Sequence, residues 1–123
     1  MLFRSVPKSA LNVTSVQACR QAVSRFPNEP RFQYQLARSL DAILTGPYFD
    51  DEAARLSLQA LKAGHAWTRS ELISNRCGNF GAATCKSIQL ALIGAGLYRG
   101  NADGVYGAGT LSALQSWIDR KGG

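Results

Sequence analysis

Residues 85–118 read CKSIQLALIGAGLYRGNADGVYGAGTLSALQSWI, and the fold turns on how this stretch is divided. Cys85, Ile88, Leu92 and Ala95 recur at the spacing that lines one face of an α-helix. Leu111, Leu114, Trp117 and Ile118 do the same at the far end. Between them, the six glycines from Gly94 to Gly109 interrupt any regular element. No alternating apolar run is long enough for a strand, so this stretch reads as a loop between two short helices, with a β-like turn at Asp103-Gly104. Gly100 and Gly104 suit positive φ, and Asp103 is placed to fold its carboxylate onto the backbone that follows. Gly109-Thr110 is expected to open the last helix, with the Thr110 hydroxyl capping free amides.

Working toward the N-terminus, the same period continues. Val16, Cys19, Val23 and Phe26 form one stripe, opened by Thr14 and Gln17 in a capping-box pattern. Pro27 and Pro30 separate it from a second stripe of Phe32, Leu36, Leu40 and Leu44, which Gly46-Pro47 closes. Asp50 is expected to cap a third helix carrying Ala53, Leu56 and Ala60, with Gly64 just past its end. A weaker fourth helix is expected from His65 to Asn75. The fold class is therefore all-α. Three stretches follow: an N-terminal extension over 1–12, helical hairpins over 13–76, and a C-terminal module over 77–123.

The 123 residues suffice for one domain or two small helical modules, and 46% hydrophobic content supports a packed core. Fourteen basic residues against eight acidic give a net charge of +6, which favours acidic partners. The basic residues are dispersed from Arg4 to Lys121, so no nucleic-acid site is expected. No segment has the apolar length of a membrane span. Met1 to Asn28 contains no acid but includes Arg4, Lys8, Arg20 and Arg25, a composition shared with organelle transit sequences. Val13 to Phe26 also reads as a core helix, which leaves only the first dozen residues as a disposable segment. No secretory signal is legible.

Chemistry is sparse. Gly94, Gly96 and Gly100 follow a helix and miss the dinucleotide spacing by one residue. Asn101 and Asp103 begin a calcium-like loop that lacks its distal Glu. The eight acids are scattered, and no catalytic arrangement includes His65, so the chain reads as a non-catalytic protein without cofactor or metal. The loop around Gly78 and Gly81 allows Cys77 and Cys85 to meet in a disulfide, or to stand as separate thiols. Cys19 then remains as a small buried hydrophobe.

Two resemblances sharpen this reading. Ala18-Cys19-Arg20-Gln21-Ala22-Val23, Pro30-Arg31-Phe32-Gln33-Tyr34-Gln35-Leu36-Ala37, Asp51-Glu52-Ala53-Ala54 and Ala60-Leu61-Lys62-Ala63-Gly64-His65 resemble Sel-like and tetratricopeptide repeats. That resemblance implies antiparallel helical hairpins with a face for a protein partner, in fewer units than such repeats need to stand alone. Ile88-Gln89, Leu92, Gly96, Tyr98, Gly100, Asp103-Gly104, Tyr106-Gly107, Thr110, Ala113-Leu114 and Trp117 resemble the three-helix peptidoglycan-binding domain found beside bacterial wall hydrolases. That second resemblance implies recognition of peptidoglycan or a related anionic glycan. Tyr98, Arg99, Asp103, Tyr106 and Thr110 are the candidate ligand residues, and Arg99 is suited to a peptide carboxylate. The implied setting is a bacterial cell envelope or periplasm. The alternative is a structural or assembly subunit that uses both modules only for protein contacts.

Overall fold

The computed structural model describes residues 13–44 and 46–120. They form α1 (Val13–Arg25), α2 (Pro30–Ile43), α3 (Pro47–Lys62), α4 (Ala66–Arg69) continuing into a π-turn (Ser70–Ser74), α5 (Ala82–Gly94) and α6 (Ala108–Asp119). The chain is all-α, with no strand among the described residues. No helix there is long and apolar enough to cross a membrane. The extension expected over 1–12 lies outside the described residues.

α3 is the spine. It packs against α2 on one side and against α5 and α6 on another, while α1 lies on α2. Ala37, Ala53 and Ala60 are fully buried, and their lack of bulk lets the α2 and α3 backbones approach closely. Leu36, Leu40, Leu56 and Leu61 fill the space around them. One hydrophobic cluster runs from Val16 to Leu114, so the core is continuous across the boundary expected at 76/77.

Helix ends follow local chemistry with two corrections. Pro30 opens α2, and Glu29 before it accepts the Arg31 N–H. Pro47 opens α3 after Gly46, so Asp50 stands inside the first turn and is not the cap. Burial, together with Asp41 and Asp51 nearby, pushes its carboxyl above the usual range. Gly64 (φ +85°) ends α3 as expected, with the His65 N–H reaching back to the Ala60 carbonyl at 3.1 Å. The second correction concerns α1. Val16 and Cys19 are buried, but Phe26 is 55% exposed and tilts against Phe32. α1 starts at Val13, which places Thr14 within the helix; its side chain lies outside the described residues.

The two halves are stitched together at the glycine-rich junction. The π-turn ends in two successive left-handed residues, Arg76 (φ 50°) and Cys77 (φ 64°), an unfavourable geometry for side chains with a Cβ. Neighbours hold it in place. Cys77 is disulfide-bonded to Cys85 at the start of α5, and the Arg76 guanidinium donates to the Tyr106 carbonyl at 3.0 Å. Buried Glu71 accepts the Asn79 N–H, Asp41 on α2 accepts the Gly81 N–H, and Phe80 meets Tyr34 edge-on.

Candidate functional site

α5 ends in a left-handed Gly96 (φ +77°), and the Leu97 N–H bonds back to the Leu92 carbonyl at 2.9 Å. The chain then leaves the helix as the loop 97–107. Gly104 (φ +81°) adopts the expected left-handed conformation. Gly100 has another role: the Tyr98 ring folds over it, and a Cβ there would collide with the Tyr98 hydroxyl end.

Below the loop lies Gln89, which is fully buried. Its Oε1 accepts the Gly104 N–H at 2.7 Å. Its Nε2 reaches the Val105 carbonyl at 3.0 Å, Thr110 Oγ1 at 3.1 Å and Asp103 Oδ1 at 3.5 Å. A single amide thus supplies donors and an acceptor to a stretch that has no ladder of its own, which meets the requirement that buried backbone polar groups be paired. Gln89 stands four residues after Cys85 and three before Leu92, inside the apolar stripe of α5. A polar residue in a core position was the signal in the sequence that a hub lay there.

The five candidate residues separate into two groups. Tyr106 and Thr110 belong to the core, 3% and 1% exposed. The Tyr106 hydroxyl donates to the Cys85 carbonyl at 2.8 Å, and burial pushes its ionisation far above the ordinary range. Thr110 lies within α6, which starts at Ala108, and its hydroxyl serves Gln89 in place of the expected cap. The other three residues are at the surface. Tyr98 is half-buried with its hydroxyl donating to the Asn101 carbonyl at 3.0 Å. Asp103 turns its carboxylate onto the Val105 N–H at 2.9 Å, and that bond holds its pKa below the ordinary value. Arg99 is exposed, with no hydrogen bond or ion pair to another described residue. Arg76 attaches to the loop through the Tyr106 carbonyl, and Arg120 reaches the Ala95 carbonyl at the end of α5.

A second surface was not foreseen. A groove of about 1140 Å³ runs along α3 between Val23 and Pro27 on one wall and Leu90, Ala91 and Trp117 on the other. Its lining residues come from α1 and the link to α2 on one side, from α3 along the floor, and from α5 and α6 on the other. Trp117 joins the halves: its Nε1–H donates to the Leu58 carbonyl at 2.8 Å, and Lys62 Nζ lies 4.7 Å from its ring centroid. Leu90 is 51% exposed. The sequence held a hint here too, because α5 is apolar around much of its circumference while lying at the surface.

Among the described residues, no three His, Cys, Asp or Glu side chains gather at metal-binding distance. No family model, curated protein or solved structure matches the chain.

Proposed function

We propose that this chain is a non-catalytic binding protein of the bacterial cell envelope or periplasm. Its C-terminal loop holds peptidoglycan or a related anionic glycan, and its Sel-like helical face receives a protein partner. The reading rests on one observation: Gln89 fixes the loop from below while Arg99 is exposed on it, with no hydrogen bond or ion pair to another described residue. A pre-set loop loses little freedom on binding. Asp103 directs its carboxylate at the backbone, and the exposed Arg99 offers its guanidinium to a carboxylate of a wall peptide. The Cys77–Cys85 bridge suits an oxidising compartment.

A structural or assembly subunit is the second reading. It is favoured by the absorption of Tyr106 and Thr110 into the core, which leaves fewer groups for a sugar. Cosedimentation with purified peptidoglycan separates the two. The wild type is expected in the pellet and Arg99→Ala in the supernatant, with an unchanged circular dichroism spectrum. If the wild type stays in the supernatant even at low salt, where screening is weakest, the assembly reading replaces the first.

A further inference from the structure

We infer that the groove along α3 is a composite docking site for a protein segment that carries apolar side chains flanked by carboxylates. This deepens the partner-binding half of the proposed function by giving that partner a place and a chemistry. Neither half of the chain builds the groove alone: one wall is Val23 and Pro27, and the other is Leu90 with Trp117. The stretch of α3 from Asp51 to Lys62 measures about 16 Å at the helical rise, so an extended segment of about five residues covers it.

Charge selects the occupant. Arg55 is exposed on α3 within the groove, Lys62 lines it with its Nζ donating to the Trp117 carbonyl at 3.2 Å, and Asp51 is the single acid among the lining residues. The chain as a whole carries +6, which draws acidic segments toward it from a distance. The walls select against a glycan. They are largely aliphatic, and the face of the one aromatic, Trp117, already has the Lys62 ammonium over it. Gln33 braces this wall: it is 6% exposed, and its Nε2 donates to the Pro27 carbonyl at 2.7 Å.

The test uses the full chain with Trp67→Phe. Trp67 is 58% exposed on α4 and does not line the groove, so removing it leaves emission that reports on Trp117. The probe is a synthetic peptide of leucine and glutamate, about ten residues long so that it overspans the groove. Controls replace glutamate with lysine or leucine with serine. Saturable change in Trp117 emission is expected with the leucine–glutamate peptide alone. Arg55→Glu and Leu90→Glu, both surface changes, are each expected to weaken it about tenfold, roughly 1.4 kcal/mol. The proposal is overturned by an absent response, by equal binding of the lysine peptide, or by unchanged affinity in both variants. Self-association without peptide that Leu90→Glu abolishes also overturns it, since it gives the groove to a second copy of the chain. Both substitutions lie outside loop 97–107 and are expected to leave peptidoglycan cosedimentation unchanged, so either reading can fail without the other.

Discussion

The hairpin formed by α2 and α3 and the loop 97–107 solve the same problem by opposite means. In the hairpin, backbone groups are paired inside each helix, and the fully buried residues are mainly small or aliphatic, Ala37 and Leu40 on α2 and Ala53 and Ala60 on α3 among them. Stability there is spread over many small contacts. The loop has no internal ladder and relies on a few strong polar links, above all the Gln89 amide. Truncation in the hairpin is therefore felt by the whole molecule. A change at the hub is felt most by the loop.

The largest expected effect tests the first half of that contrast. Leu40 is fully buried on α2. Leu40→Ala is expected to lower global stability by about 2–5 kcal/mol, the usual cost of lost transfer energy plus a cavity. Urea denaturation followed by circular dichroism measures it. A loss below 1 kcal/mol would mean that the hairpin repacks freely and the contrast is wrong.

Next in size is the hub. Gln89→Leu keeps the volume but leaves the Gly104 N–H, the Val105 carbonyl and Thr110 Oγ1 without their shared partner. The expected cost is roughly 2–3 kcal/mol, because buried polar groups deprived of partners keep their desolvation penalty. Amide hydrogen exchange distinguishes the location: protection is expected to drop at Gly104 and Val105 while α2 and α3 keep theirs relative to global stability. A uniform drop across the molecule would merge the two regions into one cooperative unit.

This contrast also explains what the sequence made legible. The helices were readable because periodic apolar residues need only a face to bury, and Pro30, Pro47 and Gly64 mark their limits by local backbone chemistry. Asp50 misled because a helix that can begin at a proline does not need an acidic cap. In the loop, glycine positions announced a turn, but not which glycine served conformation and which served space; Gly96 is left-handed and Gly100 makes room for a ring. The candidate residues were chosen by type, and type does not report burial: Tyr106 and Thr110 turned inward while Arg99 stayed out. The groove was hidden for a different reason. The apolar circumference of α5 hints at a surface, but that α1, α3, α5 and α6 line one groove together is a long-range fact.

The smallest expected effect is confined to the loop and depends on pH. Asp103 has a depressed pKa in the folded chain, chiefly because its carboxylate accepts the Val105 N–H. A carboxyl that is more acidic folded than unfolded stabilises the native state above the ordinary Asp range, and that contribution is lost as pH falls through the folded value. The Val105 amide proton is the direct reporter. Its NMR chemical shift is expected to titrate with a midpoint below the ordinary Asp value, while α2 amides do not move with it. Asp103→Asn keeps an acceptor in place and is expected to abolish the titration without opening the loop. A midpoint at or above the ordinary value would show that the Val105 bond is not made in solution, and the rigidity assigned to the loop would then rest on Gln89 and on the Tyr98, Tyr106 and Arg76 links.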